Sequence, residues 1–217
     1  MSTRTLARSL AATAAAGALL LAAACGSSSS PSPGGSPGTF HGAELTSPLT
    51  MPAGTFSATT GDTSYDLAAQ LTGKVTLVFF GYTNCPDECP TTMALIGAAL
   101  RSLPPEVGKD VQVDFVTSDP HRDTTTQMST WLANFDDGDA NPFIGLTTGD
   151  AQSVDAFGAK LGVPLEAPTV TTGDYDVTHG TQIFGFGKDA KANVVWLPGV
   201  TTEQLAADVT TLVDQKA

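Results

Sequence analysis

The run VTLVFF, Val75 to Phe80, places six apolar or β-branched residues in a row without polar alternation. A strand of that composition has no face to give to water, so it needs neighbouring strands and a packed layer over each side. The chain leaves it directly through GYTNCPDECPTT, Gly81 to Thr92, which carries Cys85 and Cys89, and continues into a helical pattern. Strand, thiol pair and helix in immediate succession predict an α/β architecture with the two cysteines at the end of its central strand.

The rest of the pattern agrees. Met93, Ile96, Leu100 and Leu103 recur at helical spacing until Pro104 and Pro105 stop the run. VQVDFVTSD, Val111 to Asp119, reads as a second buried strand. DTTTQMSTWLANF reads as a helix capped by Asp123 or Thr124, with Met128, Trp131, Leu132 and Phe135 inward. FIGLTT is a third strand, and DAQSVDAFGAKLG a third helix, capped by Asp150 and ended near Gly162. Thr181 to Gly187 and Ala192 to Gly199 pair as a hairpin across KDAK, and TTEQLAADVTTLVDQ closes the chain as an amphipathic helix. Ahead of the central strand, Phe40 to Ser57 is an extended lead-in with room for a hairpin, and SYDLAAQLTGK a short helical turn closed near Gly73. The sum is one α/β domain with a central mixed sheet flanked by helices. The connection from Gly162 to Thr178 is longer than a plain link requires, and it leads to His179.

A length of 217 residues suits one core with tails. With 10 basic against 22 acidic residues and a net charge of -12, the chain lacks the clustered cations that nucleic acid demands. Its first residues, MSTRTLARS, carry Arg4 and Arg8 and no acid, and LAATAAAGALLLAAAC is an apolar run ending at Cys25. That is the layout of a bacterial signal peptide. At about 15 residues the apolar run is shorter than a comfortable bilayer span. A cysteine at the expected cleavage point resembles the lipobox of bacterial lipoproteins, with Ala22 where that pattern usually has Leu. The expected organisation is therefore a signal peptide over 1–24, a lipidated Cys25 with a Ser/Gly/Pro tether over 25–39, and a folded domain over 40–217. Such a domain faces outward, extracytoplasmic and held at the cell membrane by lipid. With Cys25 so used, Cys85 and Cys89 are the only thiols left in a compartment that permits disulfides.

Three readings of that pair stay open on the residues alone: a structural disulfide, a redox dithiol, or two arms of a metal site. Four positions apart at a helix start, the thiols can share one face and meet backbone N–H groups that favour thiolate. A disulfide there closes a short loop and removes little chain entropy, in awkward geometry for a regular helix. Two thiolates and an imidazole form a soft set suited to Cu(I), or to Cu(II) with a further ligand. Closed zinc sites want four ligands, and the domain has neither a third cysteine nor a His-x-x-His pattern. Of the three histidines, His41 and His121 read as exposed, while His179 stands immediately ahead of the strand TQIFGFG. Asp87 and Glu88 read as solvated charges beside the site, and Asp136, Asp137 and Asp139 as a polar turn rather than a calcium loop.

FGYTNCPDECPTT, TSDPHRD and DVTHG, preceded by FHGAELTSP and DLAAQLTGK, are similar in kind, order and separation to the Sco/SenC family, thioredoxin-fold proteins of cytochrome c oxidase copper-centre assembly. The resemblance covers nearly the whole domain. It implies a thioredoxin-like fold and copper binding by Cys85, Cys89 and His179. It also implies a metallochaperone that receives copper from an upstream donor and serves the copper-bearing subunit of the oxidase, by copper delivery or thiol reduction. Asp119, Pro120 and Asp123 look like the family's DPxxD element, which orders the loop near the site. The alternative is a thiol-disulfide oxidoreductase or peroxidase-like enzyme that uses Cys85 and Cys89 without metal. Two departures stand out: a lipoprotein-like leader in place of an extended anchor, and a Thr-rich segment around Gly173 to Thr178. Gly180, directly after His179, is expected to leave the backbone there loosely constrained.

Overall fold

The computed structural model describes residues 39–136 and 143–215. The leader, Cys25, most of the tether, and Asp137 and Asp139 lie outside the described residues. In chain order the strands are β1 (Ala43–Thr50), β2 (Thr55–Ala58), β3 (Tyr65–Asp66), β4 (Val75–Gly81), β5 (Val111–Thr117), β6 (Phe143–Thr147), β7 (Ile183–Phe186) and β8 (Lys191–Trp196). The helices are α1 (Leu67–Gln70), α2 (Glu88–Arg101), α3 (Pro105–Gly108), α4 (Thr125–Leu132), α5 (Ala151–Ala159) and α6 (Thr202–Asp214). Among the described residues no helix is long and apolar enough to cross a membrane.

The strands form one mixed sheet in the order β1-β8-β7-β4-β5-β6-β2-β3. The run Val75 to Phe80 is buried at every position and sits in the interior of that order. β5 and β6 follow parallel to β4 through the α2 and α4 crossovers, whereas β7 runs antiparallel along its other edge. Side chains alternate between two cores. Val75, Leu77 and Phe79 point to one shared with Met93, Ile96, Met128, Val209 and Leu212 of α2, α4 and α6. Val78 and Phe80 point to the other, shared with Leu67, Val154 and Phe157 on the α1 and α5 side.

Several local expectations change. The lead-in does not form a hairpin with itself: β1 joins β8 at one end of the sheet, while β2 joins β6 and β3 near the other. Thr124, not Asp123, caps α4, through a reciprocal pair with Gln127. Asp123 is fully buried instead. Trp131 and Phe135 are only partly buried and meet edge to face at 4.8 Å between ring centroids. Pro104 and Pro105 end one helix and open another, since proline fits the first turn where no intrahelical N–H is needed. The expected second strand hides a carboxyl. Burial pushes Asp114 up to about 7, eased by Gln112, whose Nε2 donates to Oδ1 at 2.9 Å.

Candidate metal centre

Antiparallel pairing of β7 with β4 sets the site. Ile183 lies opposite Phe79, so the chain entering β7 passes the point where β4 ends at Gly81 and the cysteine loop begins. Cys89 lies in the first turn of α2, and Cys85 just ahead of it. The N-cap residue Asp87 makes no side-chain capping bond; the Cys85 sulfur accepts the Cys89 N–H at 3.4 Å in that region. The Cys89 sulfur in turn accepts the Tyr82 N–H at 3.5 Å. A side chain on Gly81 would place its Cβ 2.7 Å from that sulfur, so only glycine lets β4 approach so closely.

His179 arrives from the other side. Its Nε2 is 3.7 Å from Cys85 Sγ and 3.7 Å from Cys89 Sγ, and the three atoms lie within 4.8 Å of one another. Its Nδ1 lies 2.8 Å from the Gly180 carbonyl oxygen. A carbonyl can only accept, so Nδ1 carries the hydrogen, and in the neutral form of the ring the lone pair of Nε2 faces the two sulfurs. Phe79 and Tyr82 close around the imidazole, with ring centroids at 6.4 and 5.4 Å. Gly180 therefore serves through its carbonyl and through lack of bulk, since a Cβ would come 2.6 Å from Val163. The expectation of a loosely constrained backbone is replaced by a tightly packed one.

Both cysteines are free thiols and both are buried. Burial pushes the Cys89 thiol well up, and the N–H of Tyr82 does not offset it. The expected acidification at a helix start thus fails for Cys89, because desolvation of a buried thiolate outweighs one backbone dipole. The donor set still fits a single soft ion. Metal bonds of roughly 2.0–2.3 Å to imidazole and thiolate put the ligand atoms of a planar three-coordinate ion about 3.5–4 Å apart. The observed spacing from nitrogen to each sulfur falls inside that range.

The other candidates stay outside this cluster. His121 is exposed, as are Asp87 and Glu88. His41 directs Nδ1 at Asp208 over 2.8 Å at the seam between the lead-in and α6. Asp123 supports the cysteine loop without belonging to the trio: it accepts Thr83 N–H at 3.0 Å and the hydroxyls of Thr83 and Thr117 at 2.5 and 2.6 Å. Sequence reasoning passed over Gly81, Tyr82, Arg122 and Tyr175. Each stood within a stretch already singled out, but only the fold shows which of them touches the site.

The SCO1/SenC family model matches residues 48–214. The chain is 38% identical over 119 residues to a protein of Stutzerimonas stutzeri named as a putative copper-binding protein, covering 55% of this chain and 56% of that one. It is 31% identical over 137 residues to protein sco1 of Schizosaccharomyces pombe, covering 62% and 50%. The matches thus span about half the length of these relatives. Among solved structures, copper-bound ScoI of Bradyrhizobium japonicum superimposes with a TM-score of 0.65 at 29% identity, over 76% of this chain and 99% of that one. Apo Sco1 of Thermus thermophilus gives 0.65 at 31%, over 82% and 99%. The fold is thioredoxin-like, and with the family model spanning β4, the cysteine loop and His179 alike, the chain belongs to the SCO1/SenC family.

Proposed function

We propose that the domain binds one copper ion through Cys85, Cys89 and His179 and acts as a metallochaperone in assembly of the binuclear copper centre of cytochrome c oxidase. The observation that carries this reading is the convergence of His179 Nε2 on both sulfurs, with its tautomer set by the Gly180 carbonyl. Two thiolates and one imidazole favour Cu(I), and Cu(II) requires one more ligand. The ion is cargo: taken from an upstream donor and passed to the copper-bearing subunit, with reduction of that subunit's thiols as a second service the same dithiol can perform.

The supports for membrane attachment are the Arg4 and Arg8 leader, the apolar run ending at Cys25 and the Ser/Gly/Pro tether. On this reading residues 1–24 are removed, Cys25 is lipidated and the 40–217 domain faces outward. Detergent-phase partitioning of the mature protein, lost in Cys25→Ala, checks it.

The test of copper binding is a Cu(I) competition titration of the reduced domain. His179→Ala is expected to bind at least about 100-fold more weakly than wild type, beyond the loss typical of a supporting partner. Cys85→Ser and Cys89→Ser should lose more. Equal affinity in wild type and His179→Ala would remove the three-ligand site.

A further inference from the structure

Residues 163–182 contain no helix or extended strand pair, only a single bridge between Glu166 and Thr178, yet His179 is delivered to two sulfurs at equal distance. Something must hold this segment. Tyr175, four positions ahead of His179, is gripped at three points. Its hydroxyl donates to Asp119 Oδ1 at 2.9 Å, its carbonyl accepts Arg122 Nη2 at 2.9 Å, and its ring lies 3.5 Å from the Arg122 guanidinium carbon. Asp119, fully buried, also accepts from Arg122 Nε. The same guanidinium lies 5.7 Å from the ring of Tyr82, which packs against His179 and shares a hydrogen bond with the Val177 backbone. Tyr175, Val177 and His179 are therefore held in alternation by Arg122, Tyr82 and the thiols.

The turn from Thr117 to Asp123 holds both halves of the site. Through Asp123 it grips Thr83 of the cysteine loop, and through Asp119 and Arg122 it grips Tyr175 of the histidine segment. The two grips are joined at Thr117, whose hydroxyl donates to Asp123 and accepts the Asp119 N–H at 2.9 Å. We infer that Arg122 is a positioning residue for the third ligand, fixing His179 against the thiols by clamping Tyr175 from a turn that also anchors the cysteine loop. Without the clamp His179 must be ordered at the moment of metal binding, and affinity falls by that ordering cost. The guanidinium supplies a planar face for stacking and a fork of donors, which an ammonium cannot reproduce.

This inference rests on the copper reading above, and a double-mutant cycle separates the two. Cu(I) affinity is measured by competition for wild type, Arg122→Ala, His179→Ala and the double variant, with denaturant unfolding of each to establish that it folds. Arg122→Ala is expected to bind about 10- to 100-fold more weakly in the wild-type background and to change nothing in the His179→Ala background. Arg122→Lys should behave like the alanine variant, and Tyr175→Phe, which keeps ring and carbonyl, should lose less. In the metal-free protein, NMR relaxation of residues 173–180 should show new motion in Arg122→Ala while residues 83–89 stay ordered. An equal loss in both backgrounds, or no loss where His179→Ala does weaken binding, overturns the clamp. Equal binding by wild type and His179→Ala overturns the copper reading instead. Should Arg122→Ala fail to fold, Arg122→Lys and Tyr175→Phe carry the same cycle.

Discussion

Asp208 and Asp123 each tie an irregular segment to the sheet, and they titrate in opposite directions. Asp208 accepts the N–H groups of His41 and Gly42 at 2.9 Å, the His41 ring at 2.8 Å and the Trp196 indole at 2.7 Å. Burial raises its pKa, but those donors outweigh it and hold the carboxyl below the ordinary range. Asp123 has two hydroxyls and one N–H, and burial wins: its pKa is raised, with Asp119 adding like-charge repulsion. A hydroxyl can turn to serve a neutral acid, whereas a fixed N–H rewards only an acceptor. The seam at Asp208 thus favours the charged carboxylate, and the support of the cysteine loop favours it less. Burial alone does not set the state of a carboxylate; its donors do.

The largest test of this contrast removes the seam's acceptor. Asp208→Ala leaves the buried Trp196 N–H and the part-buried N–H groups of His41 and Gly42 without their acceptor, and should cost about 3 kcal/mol by denaturant unfolding. Its Cu(I) affinity should match wild type, because the seam does not touch the thiols. An equal loss of copper affinity would show that the two regions are coupled.

The next test uses pH. Asp208 has a lowered folded pKa, so its contribution is present above its ordinary value of 3.8 and is lost as pH falls through the folded pKa. Asp123 has a raised folded pKa, so its contribution is full below 3.8 and is lost as pH rises through the folded value. Each is limited to about 1.4 kcal/mol per pH unit. Stability profiles should therefore diverge from wild type in acid for Asp208→Asn, and on the rise above pH 4 for Asp123→Asn. Parallel profiles would erase the distinction drawn here.

The smallest test is His41→Ala. Its ring is half exposed, and the backbone donors to Asp208 survive, so the loss should be about 1 kcal/mol or less, with copper binding unchanged. The matching change at His179 should do the reverse, sparing stability and weakening copper binding. Both rings are held through Nδ1, one by a carboxylate and one by a carbonyl. What separates them is where the remaining nitrogen points.

Much of this was legible in the residues. The unbroken apolar run of β4 required burial on both faces, and the periodicities of α2, α4, α5 and α6 could face only such a sheet. Cys85 and Cys89 sit four apart at a helix start, and their convergence is a local consequence of that geometry. Other expectations failed where a local signal competed with a distant partner. Asp123 and Thr124 are both good caps by type, and the choice fell to Thr124 because Thr83 and Thr117 claim Asp123. The lead-in contains two strands, but where each joins the sheet depends on distant partners, Val195 for Ala43 and Thr147 for Ser57.

By itself, then, the sequence determined the buried central strand, the helical layers and a thiol pair poised where strand meets helix, because each follows from spacing along a few turns of chain. The family resemblance already pointed to His179; the tertiary structure decided how that ring reaches the thiols and how far burial shifts Cys89. Those depend on the β7 pairing with β4, on the Gly180 carbonyl behind His179, and on how much water burial removes from Cys89. Contacts between segments far apart in the chain leave no period to read, and desolvation belongs to the packed interior rather than to any residue alone.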